Sequence, residues 1–310
     1  MIRAAGVRQL GAAVETLELP APRALRPDEV LIEVQASGVG NWDEIVRTGG
    51  WDLGAGPPLA LGVEAAGRVV ATGDRVAGIA PGDRVTAHSL PLREQGAWAE
   101  QHIAAAADLA VLPPGLAFDV AAALPVPALT ADQAIDALQV QDGQTVLVNG
   151  AGGVTGGLLV QLAAHRGARV IATAGADSAG RVAGFGASSV LDYRQPDWPE
   201  RVRELTGGGV DAAANAARAG SGVAVTAVRD GGRLATITSD LPAAERGIAM
   251  TAVLVAPDGS RLADLVQLLA QGVLTVSVGG QFPLGQAAAA LSQARHGAHG
   301  SAIVLLPGDR

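Results

Sequence analysis

The sequence contains no cysteine, which excludes disulfide bonds, a cysteine nucleophile and any zinc site with thiolate ligands. Lysine is absent as well, and all 22 basic residues are arginine, which excludes Schiff-base chemistry on a lysine side chain. No segment reaches the roughly 18 consecutive apolar residues that a membrane-spanning helix needs. The N-terminal residues also lack the apolar block of a secretory signal, so we expect a cytoplasmic protein.

Basic residues are outnumbered by acidic ones, and the formal net charge of the 310-residue chain is −8. Nucleic acids and anionic membranes are bound through basic surfaces, so we expect neither as a partner. Hydrophobic residues make up 49% of the sequence, which is enough for a substantial core. The composition and the length together favour a globular protein of about two domains.

Two patterns of hydrophobic residues divide the chain near residue 125. Before that point, short apolar segments such as "EVLIEVQASGV" alternate with turns, which predicts an all-β, barrel-like domain. From Thr145 onward, apolar strands such as "TVLVN" and "RVIAT" alternate with helical segments. This alternation predicts an α/β fold with helices on both faces of a parallel sheet. Towards the C-terminus, "LTVSVG" and "AIVLLP" are predicted as further strands.

A glycine-rich turn, "VNGAGGVTGGLL" at residues 148–159, joins a strand to a helix. Ala151, Gly153 and Gly156 have the A/G-x-G-x-x-G spacing of a dinucleotide site, in which small residues let the backbone approach a pyrophosphate. The alternative is a tight turn without a ligand, but the buried strand before it and the apolar helix after it favour the dinucleotide site. The amides at the start of the helix would face the phosphates. The predicted cofactor-binding residues of this turn are Gly150, Ala151, Gly152, Gly153, Val154 and Thr155.

The end of the second strand predicts which cofactor is bound. An NAD site places a carboxylate there to bind the ribose 2′-hydroxyl, whereas this chain has Thr173 and Ala174. A 2′-phosphate suits such residues better, so we predict NADPH as the cofactor. The candidates for binding its charge are Thr173, Ser178, Arg181, Tyr193 and Arg194. Two alternatives stay open, namely Arg181 as a solvated helix residue and Asp177 in the role of the missing acid.

Several segments, in order along the chain, match the motifs of one known family. They include "LGVEAAGRVVATG", "GAWAEQ", "VNGAGGVTGGLLVQLA", "SSVLDYR" and "GGRLATI". On these motifs the chain resembles the medium-chain dehydrogenase/reductase superfamily, and within it the zinc-free quinone-oxidoreductase branch. The resemblance covers nearly the whole length. It implies a GroES-like, β-rich catalytic domain and a Rossmann domain with a doubly wound parallel sheet, with a cleft between them for NADPH and the substrate.

The same resemblance implies domain boundaries and further residues beside the cofactor. It places the GroES-like catalytic domain at residues 1–125, with a C-terminal return at 262–310, and the Rossmann NADP(H)-binding domain at 126–261. Tyr193 would lie near the 2′-phosphate. The residues implied beside the nicotinamide are Thr130, Asn215 and Ile237.

Zinc-dependent members of the superfamily have a cysteine directly after "GV" and a histidine in a "GHE" motif. Gly40 and Val63 stand at those positions here, and only Glu64 is kept. A catalytic zinc usually has three protein ligands. We therefore predict that the protein binds no metal.

The residues that contact the substrate are harder to predict. The quinone-oxidoreductase branch often has an asparagine directly after "GV", whereas Asn41 is displaced by one position and Asp43 keeps its place. Asn41, Trp42 and Trp51 are the predicted lining of the substrate pocket, with core packing as the alternative for the two tryptophans. No side chain stands out as a proton donor, so the catalytic residues stay unknown.

These features predict an NADPH-dependent, zinc-independent reductase that transfers hydride to a small-molecule acceptor, either a quinone or an α,β-unsaturated carbonyl compound. Two alternatives are an enoyl reductase acting on a carrier-bound or CoA thioester, and a cofactor-binding protein without turnover. The resemblance also implies a homodimer. The apolar strand predicted in "GIAMTAVLVAP" (247–257) would otherwise leave an unpaired sheet edge.

Overall fold

The computed structural model describes residues 1–308 and divides them into two compact units. Unit 1 comprises Met1–Leu129, Ala256–Gly272 and the residues from Val276 onward. Unit 2 comprises Thr130–Val255 and Val273–Thr275. No helix of the described residues has both the length and the apolar character that a membrane span needs.

Strands and helices are numbered here in chain order. The strands are β1 (Ile2–Val7), β2 (Glu15–Leu19), β3 (Glu29–Val39), β4 (Leu59–Ala60), β5 (Glu64–Thr72), β6 (Arg84–His88), β7 (Gln101–Ala105), β8 (Leu109–Val111), β9 (Thr145–Asn149), β10 (Arg169–Thr173), β11 (Ala187–Leu191), β12 (Val210–Asn215), β13 (Val228–Thr236), β14 (Ala249–Ala252), β15 (Val278–Pro283) and β16 (Ala302–Leu306). The helices are α1 (Asn41–Arg47), α2 (Phe118–Ala122), α3 (Pro125–Ala137), α4 (Val154–His165), α5 (Ala176–Gly184), α6 (Trp198–Thr206), α7 (Ser221–Ala224), α8 (Gly259–Ala270) and α9 (Ala287–His296).

Unit 1 is built around two sheets. A small sheet has the order β2-β1-β4, and a larger one has the order β15-β16-β3-β5-β6-β8, with β7 also paired to β3. Apart from the parallel pair β15 and β16, the neighbours in both sheets are antiparallel. Apolar side chains of β3, β5 and β6, among them Val30, Ile32 and Val85, form the core of the larger sheet.

Unit 2 contains a six-stranded sheet in the order β11-β10-β9-β12-β13-β14, with every neighbouring pair parallel. Counted along this unit, the strand order is 3-2-1-4-5-6, which is the order of a doubly wound dinucleotide-binding sheet. Four of the five residues in β9, and four of the five in β10, are buried, as expected for parallel strands covered on both faces. The predicted α/β fold is confirmed.

Two local predictions were wrong. The segment predicted as all-β contains the five-residue helix α2 and helix α1, which begins after Gly40 and is only seven residues long. It is too short to show a helical period, and its start is stabilised by the Asp43 carboxylate, which accepts a hydrogen bond from the Gly40 N–H (2.8 Å). The strand predicted at "LTVSVG" begins only at Val278, because the Gln161 side chain binds the Thr275 N–H (2.7 Å) within unit 2.

Candidate functional site

The loop between β9 and α4 needs glycine at its first position. Gly150 has φ +85°, a conformation that side chains disfavour. A Cβ atom added to Gly150 would also lie 2.8 Å from the backbone nitrogen of Ala217. The chain can therefore turn out of the sheet here only with glycine.

The later small residues of the loop have different functions. A Cβ on Gly156 would lie 2.9 Å from Cα of Ala151, so this glycine lets α4 pack directly on the loop. Around Gly153, in contrast, a Cβ would meet only the Gly150 carbonyl oxygen, at 3.8 Å. Gly153 is exposed and caps α4 without a side-chain hydrogen bond. The open space and the uncapped amides of the helix start suit a phosphate group.

Polar side chains connect the carboxyl ends of β10, β9 and β12. The Gly150 N–H donates to Thr173 Oγ1 (3.0 Å), and the Thr173 hydroxyl donates to Asn149 Oδ1 (2.7 Å). Asn149 Nδ2 donates in turn to Asn215 Oδ1 (2.8 Å). Thr173 and Asn215 are fully buried. Their side chains therefore stabilise the loop by hydrogen bonds in the protein interior and do not face an exposed surface.

The series of hydrogen bonds continues from Asn215 to Asp240. Asn215 Nδ2 lies within hydrogen-bond distance of three hydroxyl oxygens, those of Ser221 (2.8 Å), Thr236 (3.1 Å) and Thr238 (3.0 Å). All three hydroxyls donate to Asp240 Oδ1, at 2.7, 2.7 and 2.6 Å respectively. Partial burial opposes ionisation of Asp240, but the hydrogen bonds from Thr238, Ser221 and Thr236 outweigh it and lower the pKa of this carboxyl to about 2.

At the end of β10, a cation lies beside the start of α5. A Cβ on Gly175, the N-cap of α5, would be 3.3 Å from Nη2 of Arg194. The Arg194 guanidinium also lies 5.3 Å from the ring centre of Tyr193, which is exposed. Ala174 is buried, and Asp177 is exposed in the first turn of α5. Arg194 and Tyr193 are therefore the side chains that the structure brings to this corner.

Arg181 has a different environment. Its Nη2 donates to the carbonyl oxygen of Gly152 (2.9 Å), and its guanidinium lies 5.6 Å from the ring centre of Phe185. The side chain thus binds the glycine loop itself. Of the other two predicted positions, Thr130 is buried on α3, and Ile237 is half-buried after β13, with its N–H donating to the Asn215 carbonyl (3.0 Å).

In unit 1, the predicted substrate residues lie on and after α1. Asn41 is exposed at the first position of the helix, and Trp51 is half-buried in the loop that follows it. The indole of Trp42 lies against the Cα of Gly40, because a Cβ on Gly40 would fall inside contact distance of three ring carbons. The aromatic ring therefore takes the space that a side chain at position 40 would need.

The carboxyl groups of Asp43 and Glu64, in unit 1, are buried. Asp43 Oδ2 accepts the Gly40 N–H, and Glu64 Oε1 accepts the Val126 N–H (2.8 Å). Burial raises the pKa of Asp43 to about 7, against the opposing effect of its backbone hydrogen bonds. Burial also raises the pKa of Glu64 well above its usual value, and the charge of Asp43 adds to that rise.

Two buried histidines of unit 1 are neutral. Burial lowers the pKa of His88 and that of His102 to about 4. His102 Nε2 lies 2.9 Å from the Ser89 hydroxyl, and His102 Nδ1 lies 3.0 Å from the Gln95 carbonyl oxygen. Both side chains are almost fully buried and belong to the interior of this unit.

Comparison with known families gives two matches. Residues 26–114 match the alcohol dehydrogenase GroES-like domain, and residues 185–305 match the zinc-binding dehydrogenase family. The zinc in the second description does not fit this chain. No group of three or more His, Asp or Glu side chains that could hold a metal ion occurs within residues 1–308. Gly40 is covered by Trp42, and Val63 offers no ligand atom.

Curated proteins that are similar to the chain include a quinone oxidoreductase and a polyketide synthase component. Human quinone oxidoreductase is 31% identical over 212 residues, which are 67% of this chain and 63% of that protein. The pikromycin polyketide synthase component PikAII of Streptomyces venezuelae is 33% identical over 285 residues, which are 86% of this chain and 7% of that protein. The chain thus spans less than two thirds of the length of either relative.

Solved structures that match over almost their whole length include an alcohol dehydrogenase and a mycobacterial protein. An NAD-dependent alcohol dehydrogenase has a TM-score of 0.88 and 30% identity, with 99% of this chain and 100% of that chain covered. The mycobacterial protein Rv1454c, complexed with NADPH, has a TM-score of 0.85, 30% identity and the same coverage. The 3-2-1-4-5-6 sheet with its glycine loop defines a doubly wound dinucleotide-binding fold. The chain belongs to the medium-chain dehydrogenase/reductase superfamily, in its quinone-oxidoreductase branch.

Sequence reasoning missed Asp240 entirely and named Arg194 only as one of several candidates. A signal for Asp240 was present, since it follows the strand in "GGRLATITSD" at the carboxyl edge of the sheet. Ligands of open α/β sheets bind at that edge. The proximity of Arg194 to Gly175 has no local signal, because 18 residues separate the two positions and only the packing of the chain brings them together.

Proposed function

We propose that the protein is an NADPH-dependent, zinc-independent reductase that transfers hydride to a quinone or to an α,β-unsaturated carbonyl compound. The observation that carries the proposal is that the indole of Trp42 lies against Gly40, the position at which zinc-dependent members have a cysteine. Without a metal to polarise a simple carbonyl or to bind an alkoxide, an acceptor that is already electron-poor is the more suitable substrate. The family membership supports the oxidoreductase class.

The cofactor-binding part of the proposal is supported by the glycine loop. The amides of Val154 and Thr155, which no side chain caps, would bind the pyrophosphate in the open space at Gly153. Gly150, Ala151 and Gly152 would form the turn that precedes them. Arg194 and Tyr193 would bind the 2′-phosphate. NADPH would supply the hydride when bound. We assign cofactor binding to residues 126–261, and the predicted contacts of Thr130, Ala174, Asn215 and Ile237 with the cofactor stay predictions.

The catalytic part of the proposal is assigned to residues 1–125 with the return at 262–310. Asn41, Trp42 and Trp51 would orient the acceptor through one polar and two aromatic side chains. The acceptor would take hydride at its β-carbon or ring, and a proton from water. Hydrogen bonds to the developing enolate oxygen would stabilise this charge.

The test is steady-state oxidation of NADPH and of NADH by chelator-washed protein, with quinones, enones and simple ketones as acceptors. We expect turnover with quinones or enones, little with simple ketones, and no gain on adding zinc. A protein that loses all activity on chelation and regains it with zinc would contradict the proposal. Trp51→Phe should change KM for the acceptor but not for NADPH, and Trp198→Phe, in unit 2, is the matched control.

A second candidate is an enoyl reductase that acts on a carrier-bound or CoA thioester. The match to part of a polyketide synthase component favours it. The same assay with an enoyl thioester, compared with the corresponding free enone, separates the two candidates. A cofactor-binding protein without turnover would bind NADPH in a direct titration but oxidise it with none of these acceptors.

We also propose that the protein is a homodimer that pairs through β14. This strand is the last in the six-stranded sheet, has four residues, and is mostly exposed, as is Leu254 after it. An exposed edge of this kind is a site for pairing with a second sheet. Light scattering at micromolar concentration should give about twice the mass of the chain, and a monomer would contradict the proposal. The cytoplasmic location stays a prediction.

A further inference from the structure

The carboxylate of Asp240 has an unusual concentration of donors. Three hydroxyl groups, those of Ser221, Thr236 and Thr238, donate to its Oδ1, and the Ser221 N–H donates to its Oδ2 (3.1 Å). Ser239 reaches this geometry with φ +58°, a left-handed conformation that is uncommon outside glycine. The local strain indicates that the rest of the structure holds Asp240 in this position.

The charge of Asp240 has a consequence for the direction of the hydrogen bonds. An ionised carboxylate only accepts, so the three hydroxyl hydrogens point towards it. Their oxygens then present lone pairs to Asn215 Nδ2, which leaves Asn215 Oδ1 facing Asn149 Nδ2. The Ala217 N–H, 3.3 Å from the same Oδ1, favours this orientation too.

The same direction continues to the glycine loop. With Nδ2 of Asn149 used as a donor, its Oδ1 accepts the Thr173 hydroxyl, and the oxygen of Thr173 is then free to accept the Gly150 N–H. Had the Asn149 amide been reversed, the Thr173 hydrogen would have no acceptor in Asn149, and a reversed Asn215 amide would set two Nδ2 donors against each other. The relay of Asp240, Asn215, Asn149, Thr173 and Gly150 is thus ordered from one end to the other.

We propose that Asp240 is a positioning residue for the cofactor site, which acts on the phosphate-binding loop through this relay. The inference rests on the proposed binding of NADPH at Gly150–Thr155. Through the relay, Asp240 stabilises the hydrogen bond from the Gly150 N–H to Thr173 Oγ1, so the loop is ordered before the cofactor binds. A loop that is already ordered loses less entropy on binding, so the relay raises affinity without a contact between Asp240 and the phosphates.

The test is a double-mutant cycle on cofactor affinity, measured by fluorescence or calorimetric titration. Asp240→Asn introduces donors where only an acceptor existed, and Thr173→Val removes the hydroxyl at the other end of the relay. We expect each to raise the Kd of NADPH about tenfold, and the double variant to be about tenfold weaker as well, since both break one relay. Asp230→Asn, within β13 and exposed, is the matched control and should leave Kd unchanged.

Two further measurements separate positioning from other effects. NADPH lacking its nicotinamide, that is 2′-phospho-ADP-ribose, should lose affinity equally in Asp240→Asn, because the effect acts on the phosphate end. Hydrogen exchange of the Gly150 amide should accelerate in Asp240→Asn while that of Val148 stays protected. If Asp240→Asn does not fold, Thr238→Val removes one hydroxyl donor at a half-buried position and should act in the same direction.

The possible outcomes are distinct. If the double variant is about a hundredfold weaker, the two residues act independently and the relay is refuted. An unchanged Kd in Asp240→Asn, or an unchanged affinity for 2′-phospho-ADP-ribose, overturns the positioning function as well. If the unmodified protein binds neither NADPH nor NADH, the proposed function fails instead, while the Gly150 exchange experiment still tests the relay.

Discussion

Replacing Asp43 by asparagine should remove a loss of stability that the protein undergoes as the pH rises. Burial raises the pKa of Asp43 from 3.8 to about 7 in the folded state. Between these values the folded protein retains a proton that the unfolded chain has released, so the free energy of unfolding falls as the pH rises through this window. At about 1.4 kcal/mol for each tenfold change in the proton equilibrium, the difference amounts to about 4 kcal/mol.

Other buried groups also titrate, and the comparison has to isolate Asp43. Glu64 contributes with the same sign, because its folded-state pKa is also raised. His88 and His102, whose pKa values are lowered to about 4, contribute with the opposite sign, and their stabilisation is lost as the pH falls from about 6.5 to about 4. The histidine contributions cancel when the variant is subtracted from the unmodified protein at each pH.

The assay is urea unfolding of the unmodified protein and of Asp43→Asn at about pH 4.5 and about pH 8. Asparagine keeps the acceptor for the Gly40 N–H and cannot ionise. We expect the stability of the variant, relative to the unmodified protein, to rise by several kcal/mol, at most about 4, between the two pH values. Asp230→Asn should show no such rise. If Asp43→Asn shows the same relative stability at both pH values, the pKa of Asp43 is not raised in the folded protein and the reasoning is wrong.

Three further predictions follow from the unit 2 loop and from the buried histidines. Arg194→Ala should weaken NADPH binding about tenfold while changing NADH binding little. Arg181→Ala removes the hydrogen bond to the Gly152 carbonyl and should weaken the binding of both cofactors. Paired titrations of the two cofactors that show the reverse would contradict our assignment of Arg194 to the 2′-phosphate. Gly153→Ala should fold normally but raise the Kd of the cofactor at least tenfold, because the new methyl group enters the open space, and Gly180→Ala, which meets nothing within 4 Å, is the control whose Kd should not change. His102→Gln should flatten the loss of stability between about pH 6.5 and pH 4, and a chemical-unfolding series that shows the same slope in both proteins would disprove this.

The substrate-side residues show how little of a site can be predicted when the signal is absent. Trp42 was predicted from its place next to the displaced Asn41, but the closeness of its ring to Gly40 depends on where α1 begins. Arg194 and Gly175 meet because β10 and β11 are neighbours in the sheet. Asp240 became part of the site through Asn215 and Ser221, which lie on β12 and α7. None of these contacts leaves a periodic or spaced pattern in the sequence.

By itself, the sequence determined the α/β class with a parallel sheet, the glycine loop and the absence of cysteine and lysine chemistry. These properties are local, because the strand period, the turn residues and the glycine spacing are patterns of contiguous residues and each determines only one or two elements. The tertiary structure alone decided which strands became neighbours, and with them the relay from Asp240 to Gly150 and the burial of Asp43. Hydrogen-bond direction and pKa depend on groups that are distant in the chain, and only folding places those groups within reach of one another.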